Sequence, residues 1–166
     1  MIDFNVIPLF PKAFYRSYID VLTEDEKQFI RDLEMKQNIF NLMSINQYIL
    51  NEPPLSKLND MIHLHINHYA REIMGIDNEI YVTQSWSLIN LPGASMHPHA
   101  HSNSIISGSY YYDDLPEPGS YMVFERNPGN QSYIKFNVKN ERQNEFNTLE
   151  VNIGMNKNEI FFSCVK

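Results

Sequence analysis

Apolar residues in the first half of the chain recur at the three- and four-residue steps of a helix face. Pro54 suits the first turn of such a helix, and Gly75 is the kind of residue that closes one. We therefore predict a long amphipathic helix between these two residues. Its apolar positions are Leu55, Leu58, Ile62, Ile66, Tyr69 and Ile73.

A shorter helix is predicted upstream of the long one. Thr23 is a good N-cap residue, and Glu26, three positions later, completes a capping box. The acidic side chains of Glu24 and Asp25 suit the positive end of the helix dipole in the first turn. We predict that this helix runs to about Gln37.

From Glu79 onward the pattern changes to alternation in short runs rich in Ile, Val, Tyr and Phe. The predicted strands are 80–91, 104–113, 120–125, 132–138, 148–153 and 159–165, with turns at 116–119 and 127–130. This order predicts an α+β, mainly β fold: a double-stranded β-helix, or cupin-like jelly roll, with two N-terminal buttressing helices. We expect a single domain over 1–166, with a helical front at 1–75 and the jelly-roll strands at 76–166.

The amino-acid composition indicates which binding partners and which cellular location to expect. The 166 residues suffice for one core, and a net charge of -7 argues against nucleic-acid binding. No stretch approaches the roughly 20 apolar residues of a membrane span. The single cysteine, Cys164, cannot form an internal disulfide, and Met1 is not followed by a basic, signal-like segment. We expect a cytoplasmic protein without membrane contact.

The chemistry that stands out is a cluster of three histidines, His97, His99 and His101. In an extended chain, residues two apart point to the same face, so two imidazoles at that spacing converge on one metal ion. The pairs His97/His99 and His99/His101 both fit. All three together fit poorly, because four residues of strand span about 13 Å. The alternative for each is a loop histidine bonded to the backbone.

Other candidates have simpler interpretations. Of the histidines at 63, 65 and 68 on the long helix, only His65 and His68 share a face, and we interpret the group as a polar helix surface. Asp113 and Asp114 are either metal ligands or turn residues at a strand end. Cys164 follows an apolar run and is interpreted as a structural thiol.

Taken together, several motifs resemble one family. They are Trp86, Gly93, the His99-Ala100-His101 pair, and the run Ser107-Gly108-Ser109-Tyr110-Tyr111, supported by residues 7–11 and 119–124. This order resembles the iron(II)/2-oxoglutarate-dependent oxygenases with an H-x-H and S-G-x-x-Y signature. The resemblance implies Fe(II) bound by His99 and His101, 2-oxoglutarate as cosubstrate, and hydroxylation of a small-molecule or protein substrate. His97 has no counterpart, although it remains an alternative ligand.

Residues 158–166 resemble a strand that the family follows with a distal metal-binding histidine and then an arginine for the cosubstrate carboxylate. Phe162 stands where the family has proline. The resemblance implies either a third ligand and at least one more strand after Lys166 or a site that has been lost, so we expect weak metal binding and little turnover from these 166 residues alone. We also expect an open C-terminal sheet edge that forms a homodimer or is covered by residues 2–10.

The register of the strand after the histidines leaves two alternatives for the barrel interior. One lines it with Ser107, Ser109 and Tyr111, which leaves more room and which we assign to cosubstrate binding. The other lines it with Gly108, Tyr110 and Tyr112. A competing function is a non-catalytic cupin-like binding or structural module, since a fold does not fix a function.

Overall fold

The computed structural model describes residues 5, 7, 12–91, 93–97, 99–101, 103–115, 120–125, 139, 141, 144, 147, 148 and 150–164. The predicted strand at 132–138 and the predicted turns at 116–119 and 127–130 lie outside these residues. None of the described helices combines the length and the apolar character needed to cross a bilayer.

The first helix, α1, spans Glu24–Arg31 and begins with the predicted capping box. The Thr23 hydroxyl accepts a hydrogen bond from the Glu26 amide, and the Glu26 carboxylate accepts one from the Thr23 amide. The predicted extension to Gln37 is wrong. Met35–Gln37 forms a strand, β2, which pairs with β3 at Leu42–Ser44, so cross-strand pairing overrides the good helix propensity of these residues.

The long helix is confirmed and is built from three segments. A 3-10 turn at Pro53–Leu55 leads into α2 at Ser56–His68, and a π-helical turn at Tyr69–Ile73 extends it. Gly75 then adopts a φ of 65°, in the left-handed region that other residues rarely occupy. A second 3-10 turn, at Ile49–Asn51, lies just before the long helix.

Eight strands form three sheets in the described residues. The major sheet has the order β1-β8-β5, a second sheet has the order β2-β3-β4, and β6 pairs with β7. The remaining bounds are Phe14–Tyr18 for β1, Leu88–Ile89 for β4, Ile106–Tyr111 for β5, Tyr121–Glu125 for β6, Glu150–Gly154 for β7 and Glu159–Cys164 for β8. Every ladder is antiparallel, apart from an isolated parallel bridge between Tyr48 and Ser85.

Two expectations about strand placement need correction. The predicted strand at 80–91 is reduced to the two residues of β4, because its pairing along β3 stops after Leu88 and Ile89. The front of the chain is not only helical, since β1, β2 and β3 all lie before residue 75. The structure is therefore a mixed α+β fold, and within the described residues its sheets do not close into a barrel.

The two faces of the major sheet have different neighbours. On the helix face, Ile160 and Phe162 of β8 form a buried cluster with Ile66 of α2, Tyr69 and Ile19. On the opposite face, which we call the inner face, Phe14 of β1 contacts β6 and Phe161 of β8. Phe14 packs edge-on against Phe124, with ring centres 4.8 Å apart, and stacks on Phe161 at 5.3 Å.

β8 lies in the middle of the major sheet and not at its edge. Antiparallel partners flank Glu159–Cys164 on both sides, β1 on one and β5 on the other. The expected open edge along the C-terminal strand is therefore absent over these residues. The strand that pairs there is Phe14–Tyr18, whereas the expected covering segment at 2–10 lies outside the described residues apart from Asn5 and Ile7.

Gly108 of β5 provides a test of the contact between strands. A Cβ at this position would lie 2.5 Å from the carbonyl oxygen of Phe161 and closer still to the Phe162 ring. We expect Gly108→Ala to lower the free energy of unfolding by roughly 1–3 kcal/mol, since overpacking forces backbone and ring apart. Urea denaturation measures this change.

Gly154→Ala is the matched control, because Gly154 also lies in a strand but a Cβ added there would have nothing within 4 Å. We expect this variant to stay within about 0.5 kcal/mol of the wild type. Equal unfolding free energies for the wild type and Gly108→Ala would contradict the packing described.

Candidate metal centre

The three clustered histidines lie in the connection between β4 and β5. β5 begins only at Ile106, and the described residues between His97 and His101 adopt no regular secondary structure. The histidines therefore precede the strand, as the predicted strand at 104–113 also placed them. The backbone here turns, since the amide of Ser104 donates to the carbonyl of His101 at 3.1 Å.

The imidazole ring of His99 is a neighbour of both the His97 ring and the His101 ring. The ring centres of His97 and His99 are 5.4 Å apart, and those of His99 and His101 are 5.1 Å apart. A ligating imidazole nitrogen lies about 2.1 Å from a divalent metal, which puts each ring centre roughly 3.2 Å from the ion. Two such rings at octahedral or tetrahedral angles have centres about 4.5–5.2 Å apart. His99 and His101 meet this spacing.

Aromatic side chains flank the histidines at both ends. Phe40, at the tip of the β2–β3 hairpin, contacts His97 with ring centres 5.7 Å apart. Trp86 contacts His101, also at 5.7 Å. The two ends of the histidine cluster therefore contact the β2–β3 hairpin, through Phe40, and the segment before β4, through Trp86.

A backbone contact orients the middle imidazole. Nδ1 of His99 lies 3.0 Å from the carbonyl oxygen of His97. Because a carbonyl only accepts, Nδ1 is the protonated nitrogen in this contact, and in the neutral ring the lone pair is on Nε2. A hydrogen bond of this kind to the second ring nitrogen is typical of metal-ligating histidines.

His101 is the most buried of the three. Burial lowers the pKa of His101, and the neighbouring His99 lowers it further. A lowered pKa keeps the ring neutral near pH 7, which is the form that binds a metal. The exposed rings of His97 and His99 lie on the solvent side of the loop.

The donor set fits two positions of a divalent metal. Among the described residues, no group of three His, Cys, Asp or Glu side chains is arranged around one point. His99 and His101 would hold the ion through two imidazoles, as the resemblance implies. The described residues, as positioned, do not complete a site of three ligands.

The two aspartates considered as ligands have other partners. Asp113 accepts from Arg31 at 2.9 Å, and Asp114 accepts from Lys157 at 2.9 Å. Burial would raise the pKa of Asp113, but the hydrogen bonds from Arg31 and the Asp114 amide outweigh it and lower the pKa. Both aspartates follow β5, whose six residues span about 20 Å from the histidine end. They do not reach the histidines.

Ser107, Ser109 and Tyr111 occupy alternate positions of β5, opposite Ser163, Phe161 and Glu159 of β8. Because Phe161 packs on the inner face, all three side chains belong to that face. Tyr111 lies edge-on to Phe161 with ring centres 6.0 Å apart, and burial raises the pKa of Tyr111.

The alternative set of residues, Gly108, Tyr110 and Tyr112, lies on the helix face of the major sheet. Gly108 packs against Phe162, and the Tyr110 hydroxyl donates to the carbonyl of Ile19 on the helix face. Burial raises the pKa of Tyr110 to about 12. Tyr112 packs against the core cluster that includes Leu22 and Leu58. These residues are core packing and do not line the inner face.

An ion pair on the inner face was not predicted from the sequence. Arg16 of β1 donates to both carboxylate oxygens of Glu159 and lies 5.5 Å over the Phe161 ring. Burial would raise the pKa of Glu159, but hydrogen bonds from Asn156 and Arg16 outweigh it and lower the pKa. The two residues are 143 positions apart, so no local pattern indicates the pair.

The helix histidines make structural contacts. Nδ1 of His63 lies 2.9 Å from the carbonyl of Asn59, and Nδ1 of His65 lies 2.7 Å from the Tyr15 hydroxyl. His65 and His68 both contact the Tyr15 ring, which confirms that they share a helix face. Cys164 is half-buried in β8, opposite Ile106 of β5.

Comparison with protein-family models, with curated proteins and with solved structures gave no significant match for this chain. The family resemblance therefore rests on the quoted motifs.

The pKa of His65 predicts a pH dependence of stability. Burial, and secondarily His68, lowers this pKa below the ordinary value of 6.5, so the unfolded chain binds more protons than the folded one. We expect the free energy of unfolding to be fully present above about pH 6.5 and to fall as the pH decreases through that value. Urea denaturation between pH 5 and 8 measures it.

Two variants identify the group responsible. His65→Gln removes the titration, so its stability should depend less on pH below 6.5. Tyr15→Phe keeps the ring over His65 and should retain most of the dependence, because burial is the main cause of the shift. An unchanged pH profile in His65→Gln would rule out this histidine as the source.

Proposed function

We propose that this chain is the metal-binding domain of an iron(II)/2-oxoglutarate-dependent oxygenase with a double-stranded β-helix fold. The observation that carries the proposal is the pair of imidazoles of His99 and His101, 5.1 Å apart and spaced as two ligands of one ion. The hydrogen bond from His99 Nδ1 to a backbone carbonyl, which leaves Nε2 free, supports the same role.

The arrangement of the sheets supports the fold assignment. A jelly roll needs two facing sheets with the site between them. Here α2 covers one face of the major sheet, and the β6–β7 sheet meets the inner face through Phe14 and Phe124. The histidine loop leads directly into β5, whose inner-face residues begin with Ser107.

When bound, iron(II) supplies oxygen activation: O₂, 2-oxoglutarate and a C–H bond give succinate, CO₂ and an alcohol, with one oxygen atom entering each of succinate and the alcohol. In this proposal His99 and His101 hold the metal. Ser107 and Ser109 leave space on the inner face and offer hydroxyl donors to a carboxylate. Arg16 is not assigned to the cosubstrate, because Glu159 already neutralises it.

The substrate in this proposal is a small molecule or a side chain of another protein. An acidic chain with a net charge of -7 is poorly suited to nucleic acid. A cytoplasmic location agrees with a single half-buried thiol, Cys164, and keeps the iron in its reduced state.

A second candidate function is a non-catalytic, cupin-like metal-binding module. The observation that favours it is that the described residues align two ligands, not three, around one point. Such a module binds metal without turnover.

Metal binding tests the feature that both functions share. Trp86 is the only tryptophan of the chain and its ring centre lies 5.7 Å from that of His101, so its fluorescence reports directly on the site. We expect Co(II) to quench Trp86 fluorescence, and His99→Ala and His101→Ala each to weaken Co(II) binding roughly tenfold or more.

His68→Ala is the control, because His68 is a histidine on α2 that contacts Tyr15 and not the loop. It should titrate as the wild type does. Affinities that are indistinguishable among the wild type, His99→Ala and His101→Ala would overturn the proposed site.

Turnover separates the two functions. With iron(II), 2-oxoglutarate and a panel of amino acids and peptides, the oxygenase predicts succinate formation that requires O₂ and is lost in His99→Ala. Mass spectrometry of succinate, with and without O₂, measures it. Metal binding without oxygen-dependent succinate would favour the non-catalytic module.

A further inference from the structure

The pair of His99 and His101 offers half of the ligands that a zinc ion takes. Zn(II) in proteins is held by four ligands at tetrahedral angles, and neutral imidazole is one of its usual ligands. Two ligating imidazoles at the tetrahedral angle have ring centres about 5.2 Å apart, whereas at the octahedral right angle the distance is about 4.5 Å. The 5.1 Å between the His99 and His101 rings is nearer the tetrahedral value.

The described part of the same chain does not supply the remaining ligands. No group of three His, Cys, Asp or Glu side chains in it surrounds one point. Arg31 neutralises Asp113, and Lys157 neutralises Asp114. A second molecule that carries the same pair of histidines would supply the two missing imidazoles.

The pair is accessible to a second molecule. His99 is exposed and His101 is half-buried. The described residues beside them, 93–97 and 100, are exposed as well. An ion held by the two imidazoles is therefore within reach of side chains from another molecule.

Exposed apolar side chains lie next to the histidines. Phe40 contacts His97 with ring centres 5.7 Å apart, and Met96 directly precedes His97 in the chain. Both Phe40 and Met96 are exposed. Aromatic residues and methionine are enriched in protein interfaces relative to the rest of the surface. We call Phe40, Met96 and the three histidines the loop surface.

The two segments that form the loop surface carry no formal charge. Neither residues 37–51, which include Phe40, nor residues 80–112, which include the histidines, contain an Asp, Glu, Lys or Arg, so the net charge of -7 comes from the rest of the chain. A twofold interface brings the same patch of both copies together, so like charges in the patch would repel. An uncharged patch avoids this repulsion and offers no charge to an acidic or basic partner. The partner that it suits is a second copy.

We propose that Zn(II) joins two copies of this chain through the loop surface, with His99 and His101 of each copy as its four ligands. The twofold axis passes through the ion, which places the same two imidazoles on each side of it. An ion with four tetrahedral ligands has no open position, so the joined pair is a state without turnover. This inference rests on the metal-binding pair of the proposed function and not on its oxygenase activity.

The molecular mass in solution tests the pairing. By light scattering we expect 19.5 kDa in EDTA and twice that mass with Zn(II), and isothermal titration calorimetry should give one zinc ion for two chains. EDTA added to the dimer should restore the monomer. His99→Ala and His101→Ala should each stay monomeric with Zn(II). His68→Ala, the control on α2, should pair as the wild type does.

A charge introduced on the loop surface tests the contact between the chains separately from the ligands. Phe40→Arg brings like charges of the two copies together, and a guanidinium has no acceptor for a metal. We expect it to weaken zinc-dependent pairing roughly tenfold or more. Leu64→Arg is the matched control, because Leu64 is an exposed apolar residue of α2. Equal pairing of Phe40→Arg and Leu64→Arg would show that the loop surface is not the interface.

The other outcomes separate this inference from the proposed function. A monomer that binds one zinc ion per chain, and loses it in His99→Ala, would overturn the inference while supporting the two-histidine site. No zinc binding by the wild type would overturn both. A dimer that persists in EDTA, or that forms with Zn(II) in both histidine variants, would show that other contacts join the chains, and the inference would be wrong.

Discussion

The position of β8 between β1 and β5 determines most of what the other elements do. Residues 159–164 of β8 pair antiparallel with residues 14–18 of β1 on one side and with residues 106–111 of β5 on the other. A strand flanked on both sides and covered on both faces is a continuous apolar run, which is what Ile160, Phe161 and Phe162 provide. Burying such side chains contributes about 1.5–3 kcal/mol each.

That run also separates the structural face of the sheet from the inner face. Ile160 and Phe162 point to α2, so Phe161 between them points to the inner face and sets the register of its neighbours. Gly108 opposite Phe162 allows β5 to approach closely. As a result, Ser107 and Ser109 face away from the helix, at the end of β5 that follows the histidine loop.

Local rules predicted the elements that depend on local interactions. The capping box of Thr23 and Glu26 and the left-handed Gly75 follow from backbone chemistry within a few residues, and both are present. The end of α1 depends on the pairing of β2 with β3, and the length of β4 depends on pairing with β3, which lies far earlier in the sequence. Propensity alone does not indicate such pairing.

The candidate site was predicted to a similar extent. The spacing of His99 and His101 indicated a pair, and their rings lie adjacent. The three histidines were expected to fit one metal ion poorly as a set, and in the described residues no group of three metal-ligating side chains surrounds one point. The pair of Arg16 and Glu159 depends entirely on the β1–β8 register, so only the folded chain reveals it.

The choice of ligands determines the charge of the proposed centre. The two neutral imidazoles of His99 and His101 leave a divalent ion its full charge of +2, whereas a carboxylate ligand would neutralise half of it. Each unit of charge is worth about 4 kcal/mol to an anion 4 Å away at an effective dielectric constant of 20. Glu159 already neutralises Arg16 on the inner face, so in this proposal the metal supplies the positive charge for an anionic cosubstrate. Imidazole ligands, which carry no negative charge, therefore keep the attraction of the proposed metal for an anion that the paired Arg16 does not provide.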